Sequence, residues 1–332
     1  MTKNFMRYSL KFVGRTRLRA PLFAALFLLL ASCDSTESLT SETSAAPEPA
    51  VEVVDVDIDE SVDPDAASLL VAPMASVQFA GGIPFGTSAQ PTSAFVTPLN
   101  GALRNIYPQY LLRHLAQIKA RGGKVVLVFA SDKTVRDANG FSMTMWKARV
   151  DRYKNVNFSS YIEDGTIIGH YLIDEPNNAG RWKRPISPAV IEELAKYSKQ
   201  RWPTLVTIVR TNPEYMLNFN GNYRYLDAAW AQYLHRKGEV GAFIRKNVAD
   251  AQKKGLGLVV GLNVIRGGPN KRAMTPNEIK SWGSALLSSS YPCAFISWQY
   301  NATLLSSSGV EDAMKYLSAK ARSRSQRTCR GS

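Results

Sequence analysis

The chain has 332 residues, of which 45% are hydrophobic and 20% charged, and its net charge is +14. This composition is typical of a globular protein with a sizeable core. After the N-terminal segment, no stretch is apolar for long enough to span a membrane. The three histidines, His114, His170 and His235, are scattered without ligand spacing, so we expect no metal site and no cofactor.

The first 33 residues have the pattern of a secretion signal. Six basic residues precede an apolar run from Pro21 to Ala31, and this run is too short for the ~20 residues of a membrane-spanning helix. The run ends at Leu30-Ala31-Ser32-Cys33, which resembles the lipobox of bacterial lipoproteins. This resemblance implies cleavage before Cys33 and lipidation of its thiol, whereas the alternative is cleavage at another small residue. We expect a protein of the cell envelope, periplasmic or at the outer surface, held to the membrane by the N-terminal lipid only.

Residues 34–75 form a second segment of distinct composition. They contain eleven acids, no Lys or Arg and no aromatic residue, which predicts a disordered tether. The remaining residues, 76–332, contain 35 basic and 16 acidic residues, a net charge of +19. That charge favours an acidic glycan or another polyanionic envelope polymer as partner, and the alternative is a charge that serves solubility alone. We expect no nucleic-acid partner and a monomer.

From Ser76 onward, short apolar segments alternate with amphipathic ones. Several of the apolar segments are nearly continuous, as in strands that are buried on both faces of a parallel sheet. The predicted strands are Val77–Ala80, Lys124–Ala130, Thr166–Ile173, Leu205–Arg210, Ala228–Tyr233, Leu256–Val264 and Ala294–Tyr300. An eighth strand is expected near Ser93–Thr97 or within residues 141–163.

Helices are predicted between these strands. Ser187-Pro188 supplies an N-cap followed by a proline at the first helical position, and Thr275-Pro276-Asn277-Glu278 has the pattern of a capping box. Further helices are predicted over Tyr110–Arg121, Val240–Lys254 and Val310–Lys320. Regular alternation of strands and helices indicates an α/β fold with a parallel sheet. Polar residues at many strand ends favour a (β/α)8 TIM barrel over residues 76–320, followed by a basic tail over 321–332.

The segment His170-Tyr171-Leu172-Ile173-Asp174-Glu175-Pro176 carries the clearest motif. It resembles the acid pair that ends a central strand in TIM-barrel glycoside hydrolases. The resemblance implies that Glu175 is the general acid, and that Asp174 holds a substrate hydroxyl or tunes its neighbour. An acid beside another acid and beside Tyr171 is expected to have a raised pKa, as a general acid requires. The alternative is that the pair begins a loop and caps the next helix.

A second carboxylate is harder to find. Many of these hydrolases carry a nucleophilic Glu at the end of a late strand, but the matching segment here has Asn263 and no acid. Asp132 and Glu214 are the remaining candidates for a second carboxylate. The sequence therefore leaves three alternatives open: a glycoside hydrolase, a barrel that binds carbohydrate without cleaving it, and a scaffold of the cell envelope.

Other strand ends carry residues suited to sugars. Aromatic faces stack on pyranose rings, and amide or guanidinium groups bind hydroxyls or a carboxylate. The predicted substrate-binding residues are Asp132, Arg210, Glu214, Gln232, Tyr233, Asn263, Trp298 and Tyr300. For the aromatic members, a place in the core is the alternative. Cys293 and Cys329 are expected to form a disulfide in an oxidising compartment, and the four arginines between 322 and 330 are expected to form a mobile basic end.

Overall fold

The computed structural model describes residues 81–330, which form a (β/α)8 TIM barrel. The strands are β1 (Phe85–Ser88), β2 (Gly101–Asn105), β3 (Lys124–Val128), β4 (Arg136–Asp137), β5 (Gly140–Phe141), β6 (Ile167–Asp174), β7 (Thr207–Arg210), β8 (Ala228–Tyr233), β9 (Gly257–Leu262) and β10 (Ala294–Ser297). Eight of them are parallel and close the barrel in the order β1-β10-β9-β8-β7-β6-β3-β2, and β4 pairs with β5 in a small separate hairpin. The signal segment, Cys33, the acidic tether and the predicted strand Val77–Ala80 lie outside the described residues.

Helices surround the barrel and connect its strands. They are α1 (Pro108–Ala120), α2 (Met143–Asp151), α3 (Ser159–Glu163), α4 (Ala179–Trp182), α5 (Pro188–Arg201), α6 (Pro213–Met216), α7 (Val240–Lys253), α8 (Pro276–Leu286), α9 (Ala302–Leu305) and α10 (Ser308–Arg322). The predicted capping box begins α8: the Thr275 side chain accepts from the Glu278 backbone, and the Glu278 side chain accepts from the Thr275 backbone. Among the described residues, no helix has the length and hydropathy needed to cross a bilayer.

Two of the barrel strands differ from the prediction. The segment Ser93–Thr97 contains part of a short 3-10 turn, and residues 141–163 contain α2 and α3, so neither holds the missing strand. The barrel instead uses β1 and β2, which contain Gly86 and Gly101. A Cβ atom on Gly86 would lie 1.7 Å from the backbone oxygen of Gly101, so these strands pair only because a glycine stands at this close approach.

The interior of the barrel is filled with apolar side chains. One cluster collects the inward-facing residues Leu103, Val126, Tyr171, Ile208, Ala228, Trp230, Val259, Ala294 and Ile296. Residues between them in the strands, such as Leu258, Val260 and Leu262, belong to the larger core that packs the helices against the outside of the barrel. Below its C-terminal mouth, the barrel is therefore a packed core rather than a channel.

The C-terminal tail is docked onto the barrel. Cys293 and Cys329 form a disulfide with a Cα–Cα distance of 5.1 Å. Arg324 donates to the backbone oxygen of Pro292 at 3.1 Å, and Arg330 donates to that of Thr204. The expectation of a mobile basic end is therefore wrong up to Arg330, because backbone acceptors and the disulfide hold this segment.

Candidate active site

The acid pair lies where strand β6 ends. Asp174 is the last residue of β6 and stands in register with Arg210, the last residue of β7. The backbone N–H of Glu175 donates to the Arg210 oxygen at 2.8 Å, and Glu175 has a φ of 40°, which turns the chain out of the strand. The Asp174 side chain is only 7% exposed, whereas that of Glu175 is 38% exposed. Glu175 is therefore the member of the pair that solvent or a ligand reaches.

Two arginines hold the pair in one cluster of charges. Arg210 contacts Asp174 through Nη1 at 2.9 Å and Glu175 through Nη2 at 3.4 Å. Arg181 contacts Asp174 at 2.9 Å, Asp132 at 2.5 Å and Glu175 at 3.5 Å. The side chains of both arginines are at most 12% exposed. Three carboxylates thus share two guanidinium groups, and this cluster is named here the mouth ion cluster.

Arg181 is a member of the mouth ion cluster that the sequence analysis did not identify. It lies in the short helix α4, where its backbone N–H donates to the Asn178 side-chain oxygen at 3.1 Å. The Asn178 side chain also donates to Glu175 Oε2 at 3.3 Å. The cap of α4 is therefore supplied by Asn178 rather than by the acid pair. In the sequence, the one feature that pointed to this position of Arg181 is Asn178, a residue type that often caps helices, three residues before it.

The expected raised pKa of Glu175 is not found. Burial opposes ionisation of this carboxyl, but the charges of Arg210 and Arg181 and the hydrogen bond from Asn178 outweigh it, so its pKa is lowered. The neighbouring Tyr171 is fully enclosed, and burial together with the charge of Asp174 raises the pKa of its hydroxyl. Glu175 is accordingly ionised at neutral pH in the unliganded protein.

Several other predicted residues surround the mouth. The ring of Trp298 is half-buried, and its centroid lies 5.3 Å from Cζ of Arg210. Asn263, at the end of β9, pairs in register with Trp298. Gln232 is buried and donates to the backbone oxygen of Leu262 at 3.0 Å, and Tyr300 is partly buried after β10. The barrel thus brings an aromatic face, two amides and the mouth ion cluster to one end.

Two predicted substrate-binding residues do not join this group. Tyr233 is 2% exposed and points away from the barrel axis, because it donates to Gly238 and packs on Phe243 and Trp282 between the barrel and its helices. Its assignment to a sugar cleft is therefore wrong. Glu214 lies on α6, where its exposed carboxylate pairs with Lys246 at 3.2 Å.

Acid–base catalysis at the mouth is limited because, in the described part of the chain, Glu175 has no second accessible carboxylate beside it. The loop directly after β9, residues 263–275, contains no carboxylate, and Asp132 is only 13% exposed and bound by Arg181. Because Asp132 and Glu175 contact the same guanidinium, they lie within the ~9.5 Å that limits a carboxylate pair in inverting glycosidases. His170 is a core residue that contacts the Ser198 hydroxyl at 2.8 Å, and burial lowers its pKa to about 3. Across residues 81–330, no group of His, Cys, Asp and Glu is arranged to hold a metal ion.

Comparison with solved structures finds glycoside hydrolases of the same fold. The endoglucanase Cel5A of Pseudomonas stutzeri matches with a TM-score of 0.50 and 11% identity, over 77% of this chain and 99% of that one. A modular endo-β-1,4-mannanase from Cellulomonas fimi gives a TM-score of 0.48 and 13% identity, over 77% and 76% of the two chains. A GH18 chitinase from Pseudoalteromonas aurantia gives a TM-score of 0.44 and 12% identity, over 71% of this chain and 99% of that one.

Sequence comparisons find no counterpart. No protein-family model matches the chain, and no curated protein matches it. At 10–13% identity the structural matches establish the fold alone. The chain is a (β/α)8 TIM barrel, and its carboxylate cluster lies at the C-terminal mouth, the end at which barrels of this fold build their sites.

Proposed function

We propose that the mouth of the barrel binds a polysaccharide and that Glu175 contacts the bound sugar. One observation carries this proposal: Glu175 is 38% exposed, while the arginines that hold it are at most 12% exposed. An accessible carboxylate on a rigid base of ion pairs can accept hydrogen bonds from sugar hydroxyls. The half-buried ring of Trp298 beside Arg210 offers a flat surface for the C–H face of a pyranose.

We further propose that Glu175 donates a proton to the glycosidic oxygen as the bond from this oxygen to the anomeric carbon breaks, while water adds to that carbon and releases a proton that restores the acid. Arg210 and Arg181 lower the pKa of Glu175 in the free protein against the effect of burial, so the acid form is scarce at neutral pH. A sugar that displaces water from the mouth raises this pKa, because it removes solvent that stabilises the charged form. Hydrolysis by this route increases as the pH falls below neutrality.

A second candidate function is binding without hydrolysis. It is favoured by Asn263, which stands at the end of β9 where a second carboxylate would serve catalysis. The lowered pKa of Glu175, which burial alone would have raised, points the same way. Asp132, the other predicted carboxylate that lies in the mouth ion cluster, is already engaged by Arg181.

The two candidates are separated by comparing the full chain with Glu175→Gln on a panel of polysaccharides. Both the release of reducing ends and the binding of polymer are measured. Hydrolysis predicts that the variant loses about 10²- to 10⁴-fold in turnover while it still binds, since it lacks the proton donor. Pure binding predicts no products from either protein. Equal turnover by both would remove the role of Glu175, and absence of all binding would contradict the proposal.

Glu311→Gln is a matched control for this experiment. Glu311 lies on α10, its side chain is 44% exposed, and it pairs with Lys315 at 2.7 Å. The substitution removes one surface carboxylate of similar exposure that does not contact the mouth ion cluster. Turnover and binding are expected to equal those of the wild type.

We also propose that the protein is exported and anchored by a lipid on Cys33. The support is the signal-like pattern of residues 1–33, together with a disulfide of the kind that oxidising compartments allow. Growth with labelled palmitate should label the wild type and not Cys33→Ala, and only the wild type should sediment with membranes. An unlabelled wild-type protein would contradict this part of the proposal.

A further inference from the structure

A cavity of about 250 Å³ lies beside the mouth of the barrel. The loops that follow β8 and β9 form its walls, and its lining includes Leu234, His235, Arg236, Asn263, Arg266 and Lys271. Sites for drug-sized ligands usually have volumes of about 300–1,000 Å³. This cavity is therefore of a size for a single sugar residue or its charged substituent.

Backbone contacts give the cavity a fixed shape. The backbone N–H of His235 donates to the oxygen of Gly267 at 2.7 Å, which ties one loop to the other. A Cβ atom on Gly267 would lie 2.2 Å from the backbone oxygen of Asn263. The loop after β9 can therefore fold against the end of β9 only with glycine at this position. Met274 N also donates to Val264 O at 2.9 Å. The walls are thus preformed before any ligand arrives.

Basic residues outnumber acidic ones in the two loops around the cavity. The loop after β8 carries His235-Arg236-Lys237, and residues 263–277 contain three basic residues and no acid. One of these three, Arg272, is bound by both carboxylate oxygens of Glu278 at 2.7 and 2.8 Å. Arg266 is exposed and forms no ion pair within residues 81–330. Its guanidinium is therefore available to a negatively charged group that enters the cavity.

The cavity adjoins the proposed polysaccharide site through Asn263. Asn263 lines the cavity and pairs in register with Trp298, whose ring lies beside Arg210 of the mouth ion cluster. Lys237, in the loop that lines the cavity, is close enough to Glu175 for its charge to favour the ionised carboxylate. These contacts place the cavity within reach of a sugar chain that is bound at Glu175 and Trp298.

We propose that this cavity binds a negatively charged sugar residue of the polysaccharide, with Arg266 paired to its carboxylate, sulfate or phosphate group. The planar guanidinium presents two parallel N–H donors, which match the oxygens of all three groups. This inference rests on the proposed polysaccharide binding at the mouth and adds the chemical class of the substrate.

The test compares the wild-type full chain with Arg266→Gln and Arg224→Gln. Arg224 is also exposed, but it lies before the start of β8, at the opposite end of the barrel. The probes are three polymer pairs: polygalacturonate and its methyl ester, dextran sulfate and dextran, and phosphomannan and mannan. Affinities are measured at two salt concentrations. Because the protein has a net charge of +14, non-specific attraction to a polyanion would be weakened equally by the two substitutions.

The expected result is a preference for the charged member of at least one pair. Arg266→Gln should weaken that binding about tenfold, as for loss of a charge-assisted hydrogen bond, while Arg224→Gln binds like the wild type. Arg266→Lys, which keeps the charge, should retain part of the affinity and unfold in urea like the wild type.

Two results would overturn the inference. In the first, Arg266→Gln and Arg224→Gln lower the affinity for the charged polymer equally. In the second, the wild type binds the charged and the neutral member of every pair with equal affinity. In both cases, binding of a neutral polymer would leave the proposed function intact. Failure of the wild type to bind any of the six polymers would overturn the inference and count against the proposed function as well.

Discussion

Arg181→Met is expected to destabilise the protein by about 3–5 kcal/mol, the range for a buried ion pair that loses one partner. The Arg181 side chain is 10% exposed and contacts Asp132 at 2.5 Å and Asp174 at 2.9 Å, and these two side chains are 13% and 7% exposed. Methionine fills a similar volume but leaves buried carboxylates without this neutralising charge. The loss of stability therefore comes from buried charges without a partner rather than from lost packing.

The same substitution is expected to change how stability depends on pH. Arg210 and Arg181 lower the pKa of Glu175 although burial opposes them, so this group stabilises the fold above its unfolded pKa, and the contribution is lost as pH falls through the folded pKa. In Arg181→Met, burial persists and one of the two guanidinium groups is gone. The folded pKa rises, and stability is lost at a higher pH than in the wild type.

Urea unfolding followed by circular dichroism, at pH 7 and at pH 4, measures both effects. Arg245→Met is a matched control, because Arg245 and Glu239 are 75% and 66% exposed and 3.8 Å apart. The unfolding free energy of the control should stay within about 0.5 kcal/mol of the wild-type value. Suppose that the unfolding free energy of Arg181→Met is also within about 1 kcal/mol of the wild-type value and depends on pH in the same way. The conclusion that buried ion pairs stabilise this site would then be refuted.

Three further predictions concern the barrel itself. The Cys293–Cys329 disulfide spans 36 residues, so the double replacement by serine should lower the unfolding free energy by about 4 kcal/mol, and a loss below about 1 kcal/mol would contradict this. Gly261→Ala would place a Cβ atom 1.9 Å from the Ile296 oxygen, so we expect a loss of about 3 kcal/mol or more in urea unfolding, and an unchanged midpoint would be inconsistent with this register. Burial lowers the pKa of His170 to about 3, so stability should decrease as pH falls from about 6.5 towards 3, by up to about 1.4 kcal/mol per unit. An imidazole NMR signal of His170 that titrates between pH 5 and 8 would show this to be wrong.

The sequence predicted the parts of the fold that leave a strong local signal. Strand β8 was predicted with its observed bounds, Ala228–Tyr233, because only Gln232 interrupts its apolar run. The capping box of α8 was likewise visible in the chain. Strands β1 and β2 escaped prediction because they are short and contain Gly86 and Gly101, which serve a close backbone approach rather than an apolar pattern.

The candidate site was predictable in its position but not in its electrostatics. The acid pair does lie at the end of β6, as its place after an apolar run indicated. The pKa of Glu175, however, depends mainly on burial and on Arg210 and Arg181, which lie 35 and six residues further along the chain. Tyr233 was misplaced for a simpler reason. Alternate residues of a strand face opposite sides, so Gln232 and Tyr233 cannot both face the mouth.

Glycan-array binding by the full chain, with Trp298→Ala and Tyr316→Ala alongside, tests most directly whether the mouth is a sugar site. Tyr316 is an aromatic residue on α10 that is 44% exposed, so its removal controls for the loss of an aromatic surface elsewhere. If the mouth binds sugars, the wild type and Tyr316→Ala bind the same glycans and Trp298→Ala no longer binds them. Binding that survives unchanged in Trp298→Ala, or a wild type that binds no glycan, would contradict it.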